Sequence, residues 1–346
     1  ASKSSLDVNA KDSAFTAGAV YVYKWSGTRY EQVQKLLAFD RRERDWFGYE
    51  VKASDSILAV SCPFSSKDTN GMTWVTNAGA VYIFRLDSGK WKYSQKIIAK
   101  DAGINDFYSS SISLRDNNLI VGAMYSSLDS AGKNKVNYAG SAYVYRNVNR
   151  KFYFVQKLCA DQRISSAYFG NAVDIQGDLA FVGALTDRRI QNITGTGSVY
   201  IYRWQNGRYQ QVKRLNANVI GENYQFGENL VYRDSLLFIF AIREHQKIGN
   251  DSFPEAGVVY CYKDSGNNNW KLIRKFGNED AFTQDGFGYS MALDSGHLWI
   301  GAPNQDAGIK EQTTLRDAGA AYVFHYGNCI TDTVFLQASA CVSYLS

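Results

Sequence analysis

A six-residue segment that occurs six times constrains this chain more than any other feature. Gly18-Ala19-Val20-Tyr21-Val22-Tyr23 recurs as Gly79-Ala80-Val81-Tyr82-Ile83-Phe84 and Gly140-Ser141-Ala142-Tyr143-Val144-Tyr145. It recurs again as Gly197-Ser198-Val199-Tyr200-Ile201-Tyr202, Gly257-Val258-Val259-Tyr260-Cys261-Tyr262 and Gly319-Ala320-Ala321-Tyr322-Val323-Phe324. The intervals are 61, 61, 57, 60 and 62 residues. Self-similarity at a fixed period of tens of residues marks a solenoid or a propeller, because one unit cannot bury its own apolar faces without a neighbour.

Three more segments keep the same beat. A basic strand follows the aromatic one, as in Val33-Gln34-Lys35-Leu36, Ser94-Gln95-Lys96-Ile97 and Val155-Gln156-Lys157-Leu158. Then comes a Phe-Gly start at Phe47-Gly48, Phe169-Gly170, Phe226-Gly227 and Phe287-Gly288, with Phe107-Tyr108 as the variant. The last is an apolar run ending in Gly-Ala, as in Leu119-Ile120-Val121-Gly122-Ala123 and Leu179-Ala180-Phe181-Val182-Gly183-Ala184. Each reads as a strand, so one period is one four-stranded blade. The 29 Gly, 24 Tyr and 19 Phe beside only 3 Pro suit aromatic-rich strands joined by tight turns.

Within a blade, the Gly-Ala and aromatic strands are apolar at nearly every position and read as inner strands covered on both faces. The recurring Tyr is read as blade-to-blade packing. The Gln-Lys-Leu strand mixes polar and apolar residues, which predicts a solvated outer edge whose Lys and Arg resist pairing with another chain.

These four signatures together resemble the FG-GAP repeat, the blade unit of the integrin alpha-subunit head, over about Gly18 to Phe324. The resemblance implies an all-β chain, a single β-propeller domain over 1–346 built of four-stranded blades. The blades are placed as a half blade at 1–38, repeats at about 46–98, 107–158, 168–215, 225–276 and 287–338, and a closing tail at 330–346. Six blades are expected, with seven as the alternative. Either the tail completes the half blade, or the chain begins inside a longer propeller. In the integrin version a hairpin carries an Asp-x-Asp-x-Asp-Gly calcium loop. The turns here, such as Ala53-Ser54-Asp55-Ser56 and Arg115-Asp116-Asn117-Asn118, supply too few oxygens, so neither metal nor cofactor is expected.

The formal charge of +5 is spread among acidic residues without basic tracts, which argues against a nucleic-acid partner. No apolar stretch is long enough to span a membrane, and no signal peptide is visible. Of the five cysteines, Cys62 and Cys261 fall inside apolar strands and read as buried thiols, Cys329 and Cys341 are placed to close a disulfide around the tail, and Cys159 is left without an assignment. His245, His297 and His325 are far apart and fit no catalytic motif, so an enzyme is not expected.

Loops after the second and fourth strands of each blade are long and share a face, where a rigid ring would build a binding site. On it, Met72 and Trp74 put apolar bulk into a polar loop, and Arg41, Arg42 and Arg44 form a charged loop before Trp46. These five are the candidate partner-binding residues. Two N-glycosylation sequons begin at Asn192 and Asn250 on the same face. The functional expectation is an extracellular or cell-surface protein-interaction or adhesion module, with a carbohydrate-binding propeller as the alternative.

Overall fold

The computed structural model describes residues 14–66, 74–187, 195–217, 223–278, 280–294, 296–306 and 317–325, with the backbone of 339–340. Met72, Asn192, Cys329 and Cys341 lie outside the described residues.

Every described residue of regular structure is in a strand, and no described helix is long and apolar enough to cross a membrane. The first aromatic and basic segments form β1 (Val20–Trp25) and β2 (Tyr30–Leu36), an antiparallel two-stranded sheet. Next come β3 (Val51–Ser54), β4 (Ile57–Cys62), β5 (Ala80–Asp87) and β6 (Lys90–Ile97), hydrogen-bonded in that order. The pattern repeats with β7 (Ser111–Arg115), β8 (Asn118–Ala123), β9 (Ser141–Val148) and β10 (Lys151–Leu158). It repeats again with β11 (Phe169–Gln176), β12 (Leu179–Ala184), β13 (Ser198–Gln205) and β14 (Arg208–Leu215). The following sheet joins β15 (Phe226–Arg233) and β16 (Leu236–Ala241), carries a small hairpin of β17 (Gln246–Ile248) and β18 (Asp251–Phe253), and ends with β19 (Val258–Asp264) and β20 (Trp270–Phe276). Last are β21 (Ser290–Leu293), β22 (His297–Ala302), β23 (Ala320–His325) and β24 (Ser339–Ala340).

Four of the four-stranded sheets therefore read, from one edge to the other, Phe-Gly strand, Gly-Ala strand, aromatic strand, basic strand; in the fifth, the two residues of β24 take the last place. This is an all-β propeller of four-stranded blades, and the described residues contain five of them. That corrects the expected six, and the alternative seven. The sixth aromatic strand, β1, has β2 on one side and, among the described residues, no Gly-Ala strand on the other. The tail residues Ser339 and Ala340 pair with Val323 and Tyr322, as the fourth strand of the fifth sheet.

The chain divides into two compact units, Ala1–Val182 with Tyr200–Val212, and Gly183–Val199 with Lys213–Ser346. In the first unit, successive sheets stack face to face. Ile57, Ala59, Val81 and Ile83 of one sheet share a core with Ile112, Leu114, Leu119, Val121 and Tyr143 of the next. Val20 and Leu36 share another with Leu58, Val60, Tyr82 and Phe84. In the second unit, Phe238, Phe240, Val259 and Cys261 pack with Phe287, Leu298, Ile300 and Tyr322.

The conspicuous glycine ahead of each aromatic strand has a steric cause. Gly79 adopts φ +89° and forms an isolated parallel bridge with Tyr108, the start of the following sheet. A Cβ there would lie 1.9 Å from the Tyr108 carbonyl oxygen, so only glycine lets the two backbones meet. Gly18 and Phe47, and Gly140 and Phe169, make the same bridge.

The basic strand is the partly exposed outer edge of its sheet, as its composition predicts, but its recurring lysine is not solvated. Lys96 and Lys157 are buried, and Lys96 Nζ lies 2.8 Å from Asp40, Lys157 Nζ 2.6 Å from Asp101. The recurring Gln is a stitch between sheets: the Gln34 amide donates to Trp91 O (2.7 Å) and accepts from Trp91 N (2.9 Å), and Gln95 makes the same pair with Phe152. A partly polar strand pattern arises here because its polar groups are satisfied by the neighbouring blade.

Candidate functional site

The long loops of the first unit are anchored from below by the buried ion pairs. Asp40 accepts the Tyr82 hydroxyl at 2.6 Å as well as Lys96, so one carboxylate ties loop 38–46 to both β5 and β6. Asp101 does the same with Tyr143 at 2.9 Å and Lys157. A second carboxylate shapes each loop from inside. Asp45 Oδ2 accepts the Arg42 backbone N–H at 2.8 Å, and Asp106 Oδ2 accepts that of Gly103 at 2.8 Å. Burial pushes the Asp45 carboxyl up to about 7, against the lowering effect of the Arg42 N–H, and burial raises Asp106 as well. The Cys62 thiol beneath donates to the Asp45 carbonyl at 3.2 Å; it is fully buried, and that burial drives its pKa far up, which makes it inert. Cys62, Cys159 and Cys261 are all free thiols.

On this base, two of the residues expected from sequence come together. The Arg42 guanidinium lies 4.3 Å above the Trp74 ring centroid, a cation–π pair formed across loops 38–46 and 63–78. Trp74 is 52% exposed, with its indole N–H donating to Thr76 Oγ1 at 3.1 Å. Both line a cavity of about 550 Å³, together with Arg44, Asp45, Phe64 and Asn77. Arg44 is exposed in the left-handed region at φ 65°, its N–H held by Phe15 O at 2.8 Å. Arg41 is half-buried and does not line the cavity. Asn250, in the second unit, is exposed at the turn between β17 and β18.

Sequence reasoning missed the aromatic row that continues from this cavity. Ring centroids run from Trp46 to Phe64 at 4.7 Å, to Phe107 at 4.9 Å, to Tyr125 at 5.1 Å and to Tyr168 at 5.3 Å. Tyr49 stacks beside Trp46 and Tyr138 beside Tyr125. All five rings of the row are half-buried, and four of them border a smaller cavity of about 150 Å³ with Pro63 and Met124.

Trp46, Phe107 and Tyr168 stand at φ 57°, 48° and 53°. A bulky side chain in that region costs about 1–2 kcal/mol, and such strain collects where function requires it. The backbone is held there by hydrogen bonds to the turn ahead of the aromatic strand of the sheet before: Trp46 N to Thr16 O, Phe107 N to Asn77 O at 3.1 Å and Tyr168 N to Tyr138 O at 3.1 Å. A signal was present, since Trp46 and Tyr168 immediately precede the Phe-Gly starts; Phe107, expected to be the start itself, stands one residue ahead of it, because Tyr108 is the residue that bridges to Gly79.

The arrangement presents half-exposed rings, an exposed Trp and two Arg side chains without a nucleophile–base pair among them. Among the described residues there is also no group of three or more His, Cys, Asp or Glu able to hold a metal. Aromatic and Arg side chains are the groups that carry most of the energy where proteins meet.

A family profile described as the FG-GAP repeat matches residues 30–84, 91–145, 152–202 and 270–324. None of the curated proteins matches the sequence. A crystal structure of a protein from Lactobacillus plantarum is similar in fold, with a TM-score of 0.54 at 10% identity, covering 92% of this chain and 77% of that one.

Proposed function

The chain belongs to the FG-GAP repeat family, and from that premise we propose that it is an extracellular or cell-surface binding module that uses the long-loop face of its first unit to hold a protein partner. The observation that carries this is the Arg42–Trp74 pair on the rim of a cavity that runs, through Phe64, into a row of aromatic rings. A rigid scaffold that stores backbone strain to display three aromatic side chains is built for recognition. Adhesion is the role such a surface serves on a secreted or surface protein, and the exposed Asn250 sequon agrees with that location.

A carbohydrate is the second reading, because Trp74 and the half-exposed rings offer faces on which sugars stack. Binding of the purified chain to a panel of intact cells separates the two. A protein partner predicts binding lost after the cells are treated with protease, retained after glycosidase, and weakened at least tenfold by Trp74→Ala. Retention after protease, with binding to one sugar class on a glycan array, overturns the protein reading.

A further inference from the structure

The fifth sheet departs from the others at one cross-strand pair. Where β22 begins, His297 stands opposite His325 of β23. The matching pairs in other sheets are Ile57 with Arg85, Asn118 with Arg146 and Leu236 with Lys263, so the blade itself has no need of two imidazoles there. The turn ahead of the pair differs as well. Two residues separate the first and second strands of the other four sheets, as Asp55 and Ser56 or Asp234 and Ser235 do, but three separate β21 from β22: Asp294, Ser295 and Gly296.

That longer turn fixes both rings. His297 Nδ1 donates to Asp294 Oδ1 at 2.9 Å, and His325 Nδ1 donates to the Gly296 carbonyl oxygen at 2.9 Å. A carboxylate and a carbonyl only accept, so each ring carries its proton on Nδ1 and, when neutral, keeps a lone pair on Nε2. The Trp299 indole N–H holds the other Asp294 oxygen at 3.2 Å. That bond, with the one from His297, keeps the Asp294 carboxyl below its ordinary range and therefore charged. Gly296 stands at φ +100°, and a Cβ there would come 3.2 Å from His325 Cε1, so a glycine gives the ring room to lie over the turn.

The two rings are stacked, with centroids 4.5 Å apart and planes 29° from parallel. Both can be reached from solvent: the His297 side chain is 42% exposed and His325 is exposed. Among the described residues neither Nε2 has a hydrogen-bond partner.

Histidines that ligate a metal typically give their other ring N–H to a carboxylate or a backbone carbonyl, which sets the tautomer and raises the basicity of the ligating nitrogen. His297 and His325 show one of each. Zn–N bonds of about 2.0–2.1 Å let one ion join nitrogens up to roughly 4 Å apart, a spacing that exposed rings with centroids 4.5 Å apart reach by small rotations. We propose that His297 and His325 form a two-histidine site for a transition-metal ion of the zinc or copper class, bound through both Nε2 atoms. Imidazole nitrogen suits such ions, whereas an Asp-rich turn would hold calcium through oxygen. With two protein ligands instead of the four of a closed structural centre, the ion keeps positions for water or for a donor from another molecule. Only residues of the second unit take part, so the site stands whether or not the long loops of the first unit hold a protein.

The test titrates the full chain with Zn²⁺ alone by isothermal calorimetry, beside His297→Gln, His325→Gln, Asp294→Asn and His245→Gln. Saturable uptake is expected, weakened at least tenfold by either substitution in the pair and unchanged by His245→Gln. Asp294→Asn keeps an acceptor for Nδ1 but loses its charge, and should weaken uptake about tenfold. Melting in chelator shows that each variant is folded. Long-range proton–nitrogen spectra of the unmodified chain give a reading that needs no variant: Zn²⁺ should shift Nε2 of both rings and leave both Nδ1 protonated. Absence of saturable uptake overturns the proposal, as does uptake that survives His297→Gln or His325→Gln. A shift confined to one ring also overturns it, since it would mean a single-histidine contact.

Discussion

The hairpins β1–β2 and β5–β6 carry nearly the same sequence signature and meet opposite fates. Val20-Tyr21-Val22-Tyr23 and Val81-Tyr82-Ile83-Phe84 are interchangeable by pattern, yet the second is buried throughout while the first leaves Tyr21, Tyr23 and Trp25 in solvent. The difference teaches that an aromatic strand in this fold has no intrinsic inside. Burial is conferred by the sheet on each side, and a residue's energetic weight follows from which sides are filled.

The strongest way to break that comparison is to truncate the two tyrosines in parallel. Tyr82→Ala should lose about 3–5 kcal/mol, as large aromatic truncations in a core do, and it also strips a hydrogen bond from the buried Asp40 carboxylate. Tyr21→Ala should cost under about 1 kcal/mol, in line with exposed substitutions. Equilibrium denaturation in urea measures both, and similar losses would show that the open face is covered in solution.

A smaller but still clear contrast is expected from the matched lysines. Lys96→Met removes the partner of Asp40 in a pair that is almost wholly excluded from water, which should destabilise by about 3 kcal/mol. Lys35, at the same position in β2, has its Nζ 5.5 Å from the Tyr21 ring centroid. Lys35→Met should cost clearly less than Lys96→Met, because Lys35 is only half-buried and its charge stays within reach of water. Thermal melts of the two variants at one pH are sufficient to check this.

The finest test concerns Asp45, in the segment that joins the two hairpins. Its folded value of about 7 lies above its ordinary 3.8, so between those values the folded chain holds a proton that the unfolded chain has released. The associated stability is intact below about pH 4 and is lost as pH rises through about 7. Asp45→Asn keeps an acceptor for the Arg42 N–H and cannot ionise. It should flatten the profile and exceed the unmodified chain by roughly 1–3 kcal/mol at pH 8, the difference shrinking steadily on acidification and vanishing near pH 4. Denaturation midpoints across pH 4–8 give the answer, and parallel profiles would exclude Asp45 as the group responsible.

The order of strands within a blade was legible because each strand type has its own composition, and β5, β8, β10 and β11 fall where their signatures predict. The number of blades was not, since counting aromatic strands gives six while a blade needs all four strands, and among the described residues β1 has only β2 beside it. Burial of Lys96 was hidden for a related reason: a lysine in a polar strand reads as solvated until Asp40, more than fifty residues earlier, is brought beneath it. Arg42 and Trp74 could be chosen separately as exposed loop residues, but their contact depends on two loops that only the sheet register sets side by side. The row from Trp46 to Tyr168 was overlooked because bulky residues in left-handed backbone are not what sequence leads one to expect before a strand.

The bridge between Gly79 and Tyr108 has an implication for how such chains change length. Each of the three sheets that follow β1–β2 begins on the backbone of the sheet before it, through a contact that involves a glycine and a carbonyl and no particular side chain. Joining Ala78 directly to Gly140 would delete a whole repeat and leave a junction of the same kind, Gly140 against Phe169. Repeats are thus exchangeable cassettes cut at a common seam, and duplication or loss of one can alter the size of the assembly without any new interface having to evolve.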